Sequence, residues 1–214
     1  MKVNVMTDIL KANDLLARDI REMLSSRRIV SWNIMGSPGS GKTSVLERLI
    51  PMLPAEVKAA VVEGDLATSR DAERIAKTGV QSTQINTKGG CHLDAAMVRL
   101  ALEKIDLDGL RLIFIENVGN LVCPAEFALG ETGRIIVSSI AEGDDKPDKY
   151  PSMFRTAQLV LLNKIDLLAQ TDFKIESFIS GMKRINPKAD ILQVSARNGS
   201  GMPELVKWIV NRLL

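Results

Sequence analysis

Residues 36–43 read Gly36-Ser37-Pro38-Gly39-Ser40-Gly41-Lys42-Thr43, directly behind an apolar run at 29–35 and at the head of a stretch, 42–53, with helical periodicity. No other feature narrows the fold as much. The spacing GxxxxGK[ST] between a strand and a helix is the pattern of a phosphate-binding loop. Its glycines let the backbone curl so that successive N–H groups point at phosphate oxygens at a helix N-terminus. Lys42 then neutralises charge on the β- and γ-phosphates, and the Thr43 hydroxyl is placed to ligate Mg²⁺.

Such a loop needs a parallel sheet behind it. Five further apolar runs supply strands, at 59–64, 111–117, 134–139, 159–164 and 191–196, and residues around Gln84 add a short seventh. The runs are continuously apolar rather than alternating, as strands covered on both faces must be, and helical stretches at 93–104, 173–184 and 203–213 lie between them. The expected fold is α/β: a three-layer P-loop NTPase fold, its mostly parallel central sheet of about seven strands flanked by helices, with ligands at the carboxyl ends of the strands. Ahead of the first strand, Ile9, Leu16, Ile20, Met23 and Leu24 recur at helical spacing over 7–24. This predicts an amphipathic helix within 1–27, packed on or near the main domain. No repeat or Pro/Gly-rich linker breaks the pattern, so residues 1–214 are expected to form one domain.

Composition removes several function classes. Lys and Arg number 28 against 26 Asp and Glu, a net charge of +2 with the signs mixed along the chain, so no basic field is set up for nucleic acid or anionic lipid. No apolar run approaches the ~18–20 residues of a membrane helix, and the opening residues carry charges where a signal peptide needs its apolar centre. A cytoplasmic protein with neither membrane nor nucleic-acid partner is expected, in which the two cysteines serve as thiols rather than as a disulfide.

Two more segments point to the nucleotide. Asn163-Lys164-Ile165-Asp166 ends an apolar run and matches NKxD, the pattern by which guanine-nucleotide proteins read the base. The Asp166 carboxylate can accept from both the ring N1–H and the exocyclic amine of guanine, a donor pair adenine lacks. Ser195-Ala196, at the end of the last run, fits the short element whose backbone N–H meets guanine O6. Glu63-Gly64-Asp65 and Glu116-Asn117-Val118-Gly119 close two further strands. Glu116 is expected to hold Mg²⁺ through water and the Gly119 N–H to sense the γ-phosphate. Asp65, with Asp71 beyond it, is the candidate for the metal shell or for positioning the attacking water; helix capping is the plainer use of these carboxylates.

The sole histidine, His92, abuts Cys91, and Cys123 follows Glu116 by seven residues. Thiolate and imidazole suit Zn²⁺ and Ni²⁺, and three ligands per chain leave an open position or let a symmetric dimer pool two sets. Buried packing is the alternative use of unpaired cysteines.

Taken together, Gly36–Thr43, Glu63-Gly64-Asp65, Lys88-Gly89-Gly90-Cys91-His92-Leu93-Asp94, Glu116–Pro124, Asp145-Lys146-Pro147 and Lys149-Tyr150-Pro151 resemble the HypB family, GTPases that help load nickel into [NiFe]-hydrogenase. The match covers nearly the whole chain. The CPH metal motif of the related urease accessory GTPase is absent. The resemblance implies a slow, Mg²⁺-dependent GTPase (GTP to GDP and phosphate) of the signal-recognition-particle/MinD class, which dimerises with GTP. It implies Ni²⁺ or Zn²⁺ on Cys91, His92 and Cys123 near the dimer interface. The implied partners are the nickel chaperone HypA and the hydrogenase large subunit. Departures are a single histidine where some members have a histidine-rich tract, no N-terminal CxxCGC site, and Ser37 where many of the wider class carry a lysine that crosses the dimer. Lys149 is the replacement that the resemblance suggests. The rivals are an accessory GTPase for another nickel enzyme such as urease, and a nucleotide-gated Ni/Zn carrier in which hydrolysis only resets the protein.

Overall fold

A computed structural model describes residues 5–65 and 70–213; residues 1–4 of the expected N-terminal segment, residues 66–69 and Leu214 lie outside it. Seven parallel strands form one sheet: β1 (Val30–Met35), β2 (Ala59–Asp65), β3 (Gln81–Asn86), β4 (Leu112–Glu116), β5 (Gly133–Ser139), β6 (Leu159–Asn163) and β7 (Asp190–Gln193), in the order β3-β2-β4-β1-β5-β6-β7. The helices are α1 (Val5–Ser26), α2 (Lys42–Leu49), α3 (Arg70–Ala76), α4 (Ala95–Leu102), the short α5 (Lys146–Lys149) and α6 (Pro151–Arg155), α7 (Ile175–Ile185) and α8 (Met202–Val210).

Alternation along each strand divides the apolar residues between two faces. Leu112 and Phe114 of β4 join Val30, Trp32 and Ile34 of β1 under α2, α3 and α8. Ile113 and Ile115 face the other way, under α1 and α4. Further along that second face, Ile136, Val160 and Leu162 meet α6 and α7 through Phe154, Phe178 and Met182. Burial on both faces is why the inner strands lack a polar period. The edge strand β3 is only half-buried, and its sequence, QSTQIN, is mostly polar.

One expectation needs correction, and one helix was not anticipated. Among the described side chains of α1 the buried ones are Asn13, Ala17, Ile20 and Leu24, whereas Ile9, Leu15 and Leu16 stand in solvent. Asn13 decides the rotation of the helix, because its amide donates to the Ala128 carbonyl at 2.9 Å and accepts from the Ala95 N–H at 2.8 Å at the start of α4. The helix α3 carried no periodic signal, and among its described side chains Ile75 alone is fully buried. No helix among the described residues is long and apolar enough to cross a membrane.

Candidate functional site

The phosphate loop, the strand-end carboxylates, the NKxD and Ser-Ala segments and the thiols all lie at or just beyond the carboxyl ends of the parallel strands. Gly41, at φ +97°, caps α2, and a side chain there would lie 2.5 Å from the Asn163 amide nitrogen. Only glycine fits that left-handed, crowded position. Lys42 and Thr43 follow as the first residues of the helix, both buried. Asn163 donates to the Ser40 carbonyl at 2.9 Å and Lys164 to the Gly39 carbonyl at 2.6 Å, so the end of β6 braces the phosphate loop from behind.

In front of this loop lies a cavity of about 390 Å³, lined among others by Lys42, Thr43, Glu63, Asp65, Asp71, Glu116 and Gly119. A second cavity of about 590 Å³ adjoins it across Gly41, Ser44 and Lys164 and is lined by Asn163, Asp166, Ala196 and Arg197. Asp166 accepts from the Ser195 hydroxyl, and the Ala196 N–H donates to Asn163 Oδ1 at 3.2 Å. The NKxD and Ser-Ala segments therefore wall one pocket and the phosphate loop and strand-end carboxylates the other, as a nucleotide's base and phosphates require.

The carboxylates are unusual in their burial. Glu63 and Glu116 are register partners on β2 and β4, and both are buried, with one oxygen of each lacking any partner among the described residues. Thr43 donates to the other Glu116 oxygen at 2.7 Å. Burial, then the neighbouring Glu116 charge, pushes Glu63 up to about 8. Burial raises Glu116 to about 7 against the opposing pull of Lys42 and the Thr43 hydrogen bond. Lys42 itself is lowered by burial, with Glu116 pulling the other way. Two desolvated carboxylates with unpaired oxygens beside a threonine hydroxyl fit a hard divalent cation, which would relieve both. Asp65 lines the same cavity, as does Asp71, which is salt-bridged to Arg74 at 2.8 Å. The sequence placed Glu63 in the segment that closes β2 but gave it no role, although it sits two positions before Asp65 on the same strand face. Arg74, which also binds Glu47 and Ser44, left no signal.

Cys91 lies in the loop after β3, and Cys123 begins a short 3-10 turn after β4. The ligating atoms of Cys91, His92 and Cys123 lie within 4.8 Å of one another. Ligand atoms about 2.0–2.3 Å from one tetrahedral ion lie roughly 3.3–3.8 Å apart, so the widest separation in the set must shorten by about 1 Å to close on a metal. Both cysteines are free, and the Cys91 thiol is raised chiefly by its hydrogen bond with Cys123. The His92 ring stacks on Phe127, centroids 3.9 Å apart. Lys149 lines neither cavity; it is exposed and paired with Asp145 at 2.6 Å.

The model for the CobW/HypB/UreG nucleotide-binding domain matches residues 30–193. The chain is 51% identical over 203 residues to the hydrogenase maturation factor HypB of Azotobacter vinelandii, covering 94% of this chain and 67% of that protein. Among solved structures, HypB from Helicobacter pylori in complex with nickel aligns with a TM-score of 0.90 at 36% identity, covering 94% of each chain. HypB from Archaeoglobus fulgidus gives 0.88 at 38% identity, covering 95% of this chain and all of that one. The fold, the two adjoining cavities and these similarities agree: the chain belongs to the HypB family of hydrogenase maturation factors.

Proposed function

We propose that the protein is a GTP-hydrolysing metallochaperone that promotes nickel insertion into [NiFe]-hydrogenase, and that its thiol site takes up or releases nickel according to the nucleotide held. The observation that carries this is the continuity of residues 116–123. One short segment runs from the buried Glu116 of the phosphate cavity, past Gly119 on its wall, to the Cys123 thiol. Any rearrangement of that segment when phosphate leaves displaces a nickel ligand. The nickel-complexed relative from Helicobacter pylori supports nickel as the cargo.

The chemistry at the phosphates is positioning and charge neutralisation. Lys42 and the loop N–H groups take the β- and γ-phosphates, and Asp166 with the Ala196 N–H takes guanine. Thr43 and Glu116, with Asp65 and Asp71 beside them, would hold Mg²⁺, which when bound offsets charge on the phosphates. Asp65 orients a water towards the γ-phosphorus. The new P–O bond forms as the bond to the β–γ bridging oxygen breaks, leaving GDP and inorganic phosphate. GTP promotes a homodimer through which Lys149 reaches the partner's nucleotide, and HypA and the hydrogenase large subunit stand on either side of the nickel transfer in the cytoplasm.

The experiment combines phosphate release from GTP with Ni²⁺ titration in GDP and in a non-hydrolysable GTP analogue, on wild type, Lys42→Ala and Cys91→Ala. Lys42→Ala is expected to lose hydrolysis by about 10²–10³-fold or more and to keep nickel, and Cys91→Ala to do the reverse. Wild-type turnover in Lys42→Ala overturns the phosphate-loop assignment. Nickel binding indifferent to both Cys91 and nucleotide leaves a GTP switch whose cysteines are packing.

A further inference from the structure

Asn120 stands next to Gly119 and touches three loops at once. Its backbone N–H donates to the Gly36 carbonyl at 3.0 Å, and the two residues form an isolated antiparallel bridge between the phosphate loop and the end of β4. Its side-chain Nδ2 donates to the Cys91 carbonyl at 3.3 Å. Its Oδ1 accepts from the N–H of Val122, the residue before Cys123, at 2.8 Å. One partner is a carbonyl and the other an N–H, so the orientation of the amide is fixed. We propose that Asn120 is the positioning residue that couples nucleotide to nickel, its amide clamping the Cys91 and Cys123 segments together while its backbone ties the clamp to the phosphate loop. The inference rests on the proposed nickel site and names the side chain through which nucleotide would act on it.

The surroundings suit that role. Gly119 packs directly on the phosphate loop: a side chain there would come within 3.0 Å of the Pro38 backbone. A shift of Gly119 in response to the γ-phosphate is therefore passed to Asn120 by the next peptide bond. At the other end, Asn117 accepts from the Leu93 N–H at 3.2 Å and donates to Asn33 of β1 at 3.2 Å, both bonds buried. The Cys91–Leu93 segment is thus anchored at Leu93 and steered at Cys91. The three ligand atoms lie within 4.8 Å of one another and must draw about 1 Å closer to close on one tetrahedral ion, so the Cys91–Cys123 separation sets nickel affinity. Asparagine suits the position because one short side chain must donate on one side and accept on the other. Aspartate keeps the acceptor for Val122 and loses the donor to Cys91, and alanine loses both.

The test is Ni²⁺ titration, followed by thiolate-to-nickel charge-transfer absorption, of wild type, Asn120→Ala, Asn120→Asp and Cys91→Ala. Each is measured in GDP and in a non-hydrolysable GTP analogue, with a melting curve to show that the variant is folded. In wild type the two affinities are expected to differ by about 5–150-fold, the ordinary range of allosteric coupling. In both Asn120 variants that ratio should fall to within about twofold while nickel still binds, whereas Cys91→Ala loses nickel in both states. A wild-type ratio that persists in Asn120→Ala and Asn120→Asp overturns the inference alone. Loss of nickel from the Asn120 variants in both states also overturns it, making Asn120 part of the site's fabric rather than its link to nucleotide. A wild-type ratio of one overturns the gating reading of the site and the inference with it.

Discussion

The phosphate loop and the thiol cluster share the carboxyl edge of one sheet but are held in opposite ways. In the first, Lys42 and Thr43 are buried at a helix start, and Asn163 and Lys164 brace the loop backbone from a neighbouring strand. Its donors are fixed before any ligand arrives, which is how phosphate binding gains strength without reorganisation. In the second, Cys91 is at the surface, and near the thiols its loop meets that of Cys123 through the Asn120 amide, the contact between the thiols and the stacking of His92 on Phe127. A site of that kind can open and close. Where one face of a molecule must grip one ligand and hand over another, rigidity belongs to the first and slack to the second.

The largest expected effect is on the rigid side. In Asp166→Asn the two charge-assisted bonds to guanine are lost, each worth about 1.5–3 kcal/mol, so GDP affinity should fall by roughly 10²–10⁴-fold. Xanthosine diphosphate should recover part of that loss, because the new amide donates to a carbonyl where guanine carries an amine. Nickel affinity of the nucleotide-free protein should stay within about twofold of wild type, since Asp166 bonds to Ser195 on the far side of the phosphate loop and no hydrogen bond among the described residues joins it to the thiol loops. Competition binding of the three diphosphates of guanosine, xanthosine and adenosine checks this. Guanine preference surviving the substitution would remove Asp166 from the base pocket.

The same contrast governs what was legible in the sequence. The phosphate loop, Asn163–Asp166 and Ser195-Ala196 are contiguous motifs at the ends of apolar runs, so their residue types and their positions in the fold came together. Six of the seven strands lie within a few residues of those runs because burial on both faces makes each run continuous. The polar β3 showed only a trace around Gln84. The turn of α1 was misjudged because a buried asparagine, not the apolar stripe, fixes it. The contacts of Asn120 and Phe127 were invisible for a different reason. Each residue acts on Cys91 or His92 from about thirty residues away, and nothing local to an asparagine or a phenylalanine says what it will meet.

A second test uses the buried carboxylates. Glu63 and Glu116 are held up to about 8 and about 7, chiefly by burial, above the ordinary carboxylate value of about 4.3. Between those values the folded chain binds more protons than the unfolded one, so stability falls as pH rises from about 5 to about 8. At about 1.36 kcal/mol for each tenfold change in proton affinity, the loss is on the order of a few kcal/mol, and a chain of this size shows roughly 2–4 °C of melting temperature for each. A divalent cation at the proposed site would take the place of those protons. Mg²⁺ should therefore raise the melting temperature more at pH 8 than at pH 5.5, equally in wild type and Cys91→Ala. Melting curves in chelator and in Mg²⁺ decide the matter, and a melting temperature that climbs from pH 5 to pH 8 in chelator runs against it.

The smallest effect probes the slack side. Phe127 is buried, its ring lies 3.9 Å from that of His92 at 22° to it, and Arg134 holds its carbonyl at 3.1 Å while paired with Glu131 at 2.6 Å. The ring thus orients the imidazole from a fixed support on β5. Phe127→Leu keeps the apolar volume and removes the flat face. Nickel affinity should drop about 10-fold, the lower end for groups that orient a metal ligand from behind, and Phe127→Tyr should retain it. The drop should be equal in GDP and in the GTP analogue, because the support runs to the sheet and not to the phosphate loop, and hydrolysis should be unchanged. That equality separates the two kinds of positioning residue: loss of Phe127 lowers both nickel affinities together, whereas loss of Asn120 removes the difference between them. Unchanged nickel affinity in Phe127→Leu would assign orientation of the metal to the two thiols alone and leave the stacked rings as core packing.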